Sequence, residues 1–274
     1  MRRLAAAFFA AALFLAISTD CTDSAAQGGG VQVSLSALVG AYPDAGIVVE
    51  SDRSDIFLSI DGHRMLFLSL SDPPEPDPGS PADQPICATL AQEYPAGEGG
   101  RDPAPGSDPG RVRNEFFLKL LYGADADSVR KNCVTVSFLG ERVQFNGRHG
   151  AAGALARVGQ RLEKLTEADP SLREYILPTS GTLNWRTVKG SNRLSPHSFA
   201  IAIDLNVKKA PYWQWSSRTS PEVKSAREGY PQAIVDAFEA EGFIWGGKWY
   251  SFDFMHYEYR PELLSGQLAD LMLQ

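Results

Sequence analysis

Residues 195–204 read Ser-Pro-His-Ser-Phe-Ala-Ile-Ala-Ile-Asp, and this stretch decides how the chain is interpreted. The apolar run from Phe199 to Ile203 predicts a buried strand, because short continuous apolar runs favour strands that are covered on both faces. The strand ends in Asp204 and so carries a carboxylate into the protein interior. A buried carboxylate must be paired or must bind a metal ion, since an isolated charge there costs several kcal/mol.

Two histidines complete a candidate metal site with this aspartate. His197 lies in the same stretch, and His256 lies in residues 253–258, which read Asp-Phe-Met-His-Tyr-Glu. Two imidazoles and one carboxylate are the ligand set of a catalytic zinc, which keeps its fourth position for water. Seven residues of straight strand would separate His197 from Asp204 by about 23 Å. The chain must therefore turn back near His197, and Ser195-Pro196 supplies the bend.

Two carboxylates compete for a role beside His256. Aromatic residues alternate around it as they do in a strand, with a break of phase near Met255. Without that break, Glu258 rather than Asp253 would share the face of His256, because side chains alternate along a strand. Spacing alone leaves both carboxylates open as the acid–base group.

Composition and charge place the chain among globular proteins of one large or two small domains. It has 274 residues, of which 43% are hydrophobic and 22% are charged. Such a chain can bury a sizeable core. The 26 basic and 33 acidic side chains give a net charge of −7. This balance argues against nucleic-acid binding, which needs a basic face.

The beginning of the chain has the layout of a secretory signal peptide. Arg2 and Arg3 precede an apolar run over residues 4–17, which is shorter than the roughly 20 residues that cross a bilayer. Small side chains at residues 24–26 predict cleavage after Ala26. The alternatives are a lipoprotein acylated at Cys21 and a retained anchor. We expect residues 1–26 to be removed and the mature chain, secreted or periplasmic, to have no membrane span.

Two cysteines, Cys87 and Cys133, remain after that cleavage. In an oxidising compartment they predict one disulfide, with two buried thiols as the alternative. Ten of the eighteen prolines lie in residues 73–110, together with many glycines. We interpret this Pro/Gly-rich segment as a solvated loop. The alternative is that it lies over the active-site cleft and restricts it.

Local sequence patterns predict several helices and strands and a domain boundary near residue 150. A hairpin is expected around Asp61-Gly62, and an amphipathic helix is expected to pass through Leu155 and Leu165 and to end before Pro170. The other predicted elements are a helix over 114–122, strands over 134–138 and 142–145, a helix over 231–241 and a helix from Pro261 whose apolar side includes Leu268 and Leu271. The predicted division is an N-terminal region, 27–149, and a C-terminal domain, 150–274, which carries the candidate metal site.

Four stretches carry a resemblance to a known family. They are residues 181–186, 195–206, 243–249 and 253–264. In this order they closely resemble the D-alanyl-D-alanine carboxypeptidase family of zinc peptidases, the VanY-like group, over roughly residues 150–268. The family pattern is Ser-x-His, six residues, Asp, then Asp or Glu-x-x-His. Residues 108–111 resemble the N-terminal portion of its long members, and Ala200 stands where the family usually has glycine.

The resemblance implies a role for each candidate residue. It implies that His197, Asp204 and His256 bind Zn²⁺ and that Asp253 is the general base. It also implies that Arg186 holds the substrate near the scissile carbonyl or its terminal carboxylate, the alternative being a surface salt bridge. Ligating histidines usually donate their second nitrogen to a carboxylate, so we expect Glu258 to hold a ligand or a neighbouring arginine.

These inferences combine into an exported zinc metallopeptidase with an α+β fold. A small antiparallel sheet with flanking helices is expected to carry the site, preceded by a smaller α/β N-terminal part. The family implies that the substrate is a peptidoglycan stem peptide, cut at or near D-alanine. The alternatives are an L-alanyl-D-glutamate endopeptidase or dipeptidase of the same family, and a non-catalytic wall-binding protein that holds zinc. Asp253 argues against the last, because a purely structural zinc site needs no spare carboxylate.

Overall fold

The computed structural model describes residues 35–53, 55–69 and 85–264. The predicted signal peptide with Cys21, the first part of the Pro/Gly-rich segment and the end of the predicted C-terminal helix, with Leu268 and Leu271, lie outside these residues. In the part of the chain that the structure describes, no helix is long and apolar enough to span a membrane.

Helices and short antiparallel sheets alternate along the chain. The helices are α1 (Leu35–Ala41), α2 (Ile86–Thr89), α3 (Glu115–Tyr122), α4 (Ala126–Asn132), α5 (Ala151–Ala168), α6 (Arg173–Ile176), α7 (Pro221–Glu228) and α8 (Gln232–Glu239). The strands are β1 (Val48–Asp52), β2 (Asp55–Ile60), β3 (His63–Ser69), β4 (Cys133–Phe138), β5 (Glu141–Asn146), β6 (Ala202–Asp204), β7 (Phe243–Trp245) and β8 (His256–Tyr259).

The described strands form antiparallel sheets, which makes the fold α+β. Their orders are β1-β2-β3, β4-β5 and β6-β8-β7. The N-terminal part is therefore α+β as well, and the predicted α/β character is wrong for it. The physical reason is the short turns between these strands, since parallel strands need a crossover of a dozen or more residues.

Most of the locally encoded elements are confirmed. The Asp61-Gly62 turn joins β2 to β3, and β4 and β5 form the second predicted hairpin. The side chain of Asn114 caps α3 by accepting a hydrogen bond from the amide of Phe117 at 2.8 Å. By contrast, Pro261 opens only a 3₁₀ turn that ends at Leu263, not a long helix, within the described residues.

One hydrophobic core joins the regions before and after residue 150. The buried side of α5, with Leu155, Val158 and Leu162, packs among β4 and α8. The same cluster of buried side chains runs from Leu38 to Tyr259. The division at residue 150 stays a prediction, but the two regions share an apolar interior.

The described part of the Pro/Gly-rich segment is packed, so the interpretation as a solvated loop is wrong for residues 85–110. Tyr94 is buried there, and its hydroxyl bonds Glu239 of α8. Further along, the carbonyl of Pro109 accepts a hydrogen bond from the Trp249 indole at 2.7 Å, and the Asp108 carboxylate accepts one from the Ser251 amide at 2.7 Å. The segment is ordered because the last third of the chain supplies partners for its polar groups.

The structure has no disulfide between Cys87 and Cys133. Cys87 is buried on α2, which packs against β3. Cys133 is half-buried at the start of β4, where it pairs with Asn146. The predicted bond is absent because the two thiols belong to elements that are held by different partners.

Candidate metal centre

The antiparallel pairing of β6 with β8 brings two of the predicted ligands side by side. Asp204 is the last residue of β6 and His256 is the first of β8, and the two are direct cross-strand partners. Asp253 lies in the turn before β8, and its carbonyl accepts a hydrogen bond from the His256 amide at 3.2 Å. This turn is the break of phase that the aromatic pattern predicts near Met255.

His197 reaches the same place from a 3₁₀ turn, Pro196–Phe199, that the Ser195 side chain caps. The following residue, Ala200, is left-handed, with φ +53° and ψ +41°. The predicted strand from Phe199 is therefore too long, and β6 begins only at Ala202. The left-handed backbone turns the chain between His197 and Asp204. It also explains why glycine suits position 200, since a Cβ is strained there.

Three ligand atoms converge. Oδ1 of Asp204 lies 3.2 Å from Nε2 of His197 and 3.0 Å from Nδ1 of His256. The two ring nitrogens are 3.3 Å apart. One ligand atom from each residue lies within 4.8 Å of the others, so the group could hold a metal ion.

Hydrogen bonds on the far side of each imidazole fix which nitrogen faces this point. Nδ1 of His197 donates to the carbonyl of Thr182 at 2.8 Å, which leaves the Nε2 lone pair directed into the site. Nε2 of His256 donates to Glu258 at 3.1 Å, which leaves Nδ1 facing Asp204. Metal-binding histidines are oriented in this way, by a carbonyl or a carboxylate on their second nitrogen.

Glu258 lines the same cavity, but other protein groups bind its carboxylate. It is fully buried, and Arg113 and Arg260 donate to its carboxylate at 3.3 and 3.0 Å. Burial alone would raise the pKa of Glu258, but the two guanidinium groups and the His256 hydrogen bond lower it to about 2. Its position matches the expectation that it holds a ligand and a neighbouring arginine, and Asp253 remains as the candidate base.

Asp253 lines a cavity of about 100 Å³ together with the three converging residues. Its Oδ1 atom is buried and has no hydrogen-bond partner among the residues that the structure describes. Burial raises the pKa of Asp253 to about 6; His256 opposes the rise and the nearby Asp204 carboxylate adds to it. A buried carboxylate oxygen without a protein partner requires water, metal or substrate.

In the metal-free protein, positive charge already sits on the ligand cluster. Burial would raise the pKa of Asp204, but the attraction and hydrogen bonds of both histidines hold it far below its usual range. Burial would lower the pKa of His256, yet hydrogen bonds to Asp204 and Glu258 raise it to about 10. A metal ion that binds here must displace a proton, so binding weakens as the pH falls.

Arg186 lines the cavity from the segment before the 3₁₀ turn. Its side chain is exposed, and its backbone is tied to Ser198, which donates to its carbonyl at 2.8 Å and accepts from its amide at 3.0 Å. The alternative of a surface salt bridge has no support, because no carboxylate among the described residues pairs with this guanidinium.

The sequence did not identify Arg111 and Arg113 as residues of this site. Both line the cavity, although Arg113 and Glu258 are 145 residues apart in the chain. The only sequence signal was the resemblance of residues 108–111 to long family members, which gave no role. Their positions follow from the packing of the Pro/Gly-rich segment against residues 249–260.

Comparison with known proteins supports the family resemblance for part of the chain. Residues 189–259 match the model of the D-alanyl-D-alanine carboxypeptidase family, which confirms the resemblance over that segment. Among curated proteins, 68 residues are 35% identical to Autophagy-related protein 3 of Yarrowia lipolytica, which covers 25% of this chain. The chain spans only 18% of the length of that relative. No solved structure matches the chain. The family match supports a peptidase related to peptidoglycan, in general terms.

Proposed function

We propose that this protein is an exported zinc-dependent metallopeptidase that cuts peptidoglycan stem peptides at or near D-alanine. The observation that carries the proposal is the convergence of His197, Asp204 and His256 beside Asp253, all within the matched segment. Export to the periplasm or the outside of the cell is supported by the signal-like residues 1–26.

The donor set fits zinc. Two imidazole nitrogens and one carboxylate are the protein ligands of catalytic zinc sites, which keep one position for water. A bound zinc ion supplies Lewis acidity, which polarises a carbonyl and lowers the pKa of a water molecule to about 7. Asp253 can accept a hydrogen bond from that water, because its buried Oδ1 has no hydrogen-bond partner among the described residues.

The remaining steps fall to two residues of the cavity. Asp253 accepts a proton from the attacking water and returns it to the leaving amine, a role that suits a carboxyl group with a pKa of about 6. Arg186 offers a forked set of donors that matches a carboxylate or the oxyanion that develops at the scissile carbonyl. Glu258 keeps His256 oriented and does not exchange protons with the substrate.

The test is to incubate the mature protein with purified muropeptides, with and without a chelator, and to read the products by mass. Loss of one alanine mass that stops with chelator and returns with zinc supports the carboxypeptidase. Internal cleavage supports an endopeptidase with the same site. His256→Ala should abolish either cleavage, whereas His63→Ala, an exposed histidine at the start of β3, should leave it unchanged. Zinc bound at one per chain without any cleavage would overturn the proposal in favour of a binding protein.

A further inference from the structure

With a metal ion bound, each acidic side chain of the cavity would have a partner for its charge. Glu258 is neutralised by Arg113 and Arg260, which both bond its carboxylate. A divalent metal ion would balance the carboxylates of Asp204 and Asp253. Any further basic side chain that lines the cavity therefore has no carboxylate of the cavity left to neutralise it.

Three basic side chains are of this kind. Arg111, Arg186 and Lys189 line the cavity, and none forms an ion pair with a carboxylate of the described residues. Arg186 and Lys189 come from the segment before the 3₁₀ turn, whereas Arg111 comes from the N-terminal region. The cavity is thus lined with unpaired positive charge from two separate parts of the chain, which favours an anionic ligand.

Arg111 is the one of these three whose side chain the protein holds in place. Its Nη1 donates to the carbonyl of Ser251 at 2.9 Å, two residues before Asp253. Its guanidinium carbon lies 5.3 Å from the centre of the Trp249 ring, in a cation–π contact. The side chain is half-buried, and its other donors are not sealed by protein. A guanidinium that is fixed in advance loses little entropy when it binds a carboxylate.

We propose that Arg111 binds a carboxylate of the substrate and selects peptides that carry a free carboxylate near the scissile bond. This inference rests on the proposed peptidase function and assigns a specificity role to the N-terminal region. In a stem peptide the carboxylate is either the terminal one of D-alanine or the one that D-glutamate keeps free of the peptide chain. A forked guanidinium recognises both through the same pair of charge-assisted hydrogen bonds.

The test compares Arg111→Gln and Arg111→Lys with the wild type on matched stem peptides. One pair has a free or amidated C-terminus, and a second pair has a free or amidated glutamate carboxylate. Arg218→Gln is the matched control. Arg218 is also half-buried, lies 4.4 Å from the Trp213 ring and contacts Ser251, but it does not line the cavity.

We expect Arg111→Gln to raise KM about 10- to 100-fold for the peptide with the recognised carboxylate, as for a lost hydrogen bond to a charged group. The amide of that pair should bind the wild type and this variant equally weakly. The KM of Arg111→Lys for the recognised peptide should lie between those of the wild type and Arg111→Gln, because lysine keeps the charge but lacks the forked pair of donors. Arg218→Gln should discriminate as the wild type does. The pair that shows the effect identifies the carboxylate that is bound.

A binding measurement separates this inference from the proposed function. The same pairs are made with a CH₂–NH group in place of the scissile amide, and their affinities for the metal-loaded protein are measured by calorimetry. If the wild type hydrolyses none of the peptides, the proposed peptidase function is overturned, whereas the inference about carboxylate binding by Arg111 is not. If the wild type binds acid and amide equally in both pairs, or if Arg111→Gln discriminates as the wild type does, Arg111 is not the carboxylate site.

Discussion

Replacing Glu258 with glutamine should lower both the stability of the fold and its affinity for metal. The Glu258 side chain is fully buried and contacts Arg113, Arg260 and His256 at 3.0 to 3.3 Å. Glutamine has the same size but no charge, so two buried guanidinium groups lose their shared counter-ion. Loss of one partner from a buried ion pair costs about 3–5 kcal/mol. A lost carboxylate behind a metal-binding histidine typically costs about 10- to 100-fold in metal affinity.

Two assays measure these effects separately. Urea unfolding of the metal-free protein gives the change in stability, and competition with a chelator gives the zinc affinity. Glu174→Gln is the control, because Glu174 pairs with Lys209 at 2.9 Å while both side chains are about half exposed. Such a surface pair contributes about 0–1 kcal/mol. If Glu258→Gln unfolds at the same urea concentration as Glu174→Gln and binds zinc equally well, the reasoning is refuted.

The pH dependence of stability in the wild type checks the same network. The pKa of Glu258 is about 2 in the folded protein, below the usual value of 4.5. Its contribution to stability is therefore complete above about pH 4.5 and is lost as the pH falls towards 2. In Glu258→Gln the corresponding part of the acid-induced loss should be missing.

Four further predictions concern the site and the backbone turn at Ala200. Asp253→Ala should retain zinc but lose turnover by a factor of about 10² or more, measured by initial rates with metal content checked in parallel; near-normal turnover would exclude Asp253 as the base. In the wild type, kcat/KM should fall tenfold per pH unit on an acid limb at or below about pH 6, since Asp253 must be ionised and a bound cation lowers its pKa; a limb well above pH 6 would contradict this. His197→Ala should lose the metal, and stoichiometric zinc in that variant would remove it from the ligand set. Finally, Ala200→Gly should change the unfolding free energy by less than about 1 kcal/mol, because relief of the left-handed strain offsets the lost methyl and the added chain entropy. Ala200→Val should cost more than about 2 kcal/mol, whereas an extended strand would tolerate valine.

The sequence predicts the elements whose causes are local. Helix α3 follows from its Asn114 cap and terminal glycine, and α5 from the helical spacing of its leucines. The two hairpins follow from glycine-containing turns between apolar runs. Each of these signals involves residues a few positions apart, so a linear pattern contains the information. The same holds for the bend that His197 requires, although not for the left-handed Ala200 that helps produce it.

Only the tertiary structure distinguishes the surroundings of the two carboxylates beside His256. From spacing, Asp253 and Glu258 were equal candidates beside His256. The structure pairs Glu258 with Arg113 and Arg260 and leaves a buried oxygen of Asp253 without a protein partner in the described part of the chain. Arg113 comes from 145 residues upstream, and no local pattern indicates that approach.

The sequence thus indicated which residue types could bind a metal ion, and the packing determined their surroundings. Two histidines and one aspartate could be chosen from the sequence as candidate metal ligands because few residue types bind zinc and because the stretches around them resemble a zinc peptidase family. The packing of the segment before Arg111 could not be predicted from the sequence. Its prolines and glycines favour a solvated loop, and only residues distant in the chain hold it in place. Local propensity is encoded by neighbours in sequence, whereas charge balance and burial depend on residues that meet only after the chain has folded.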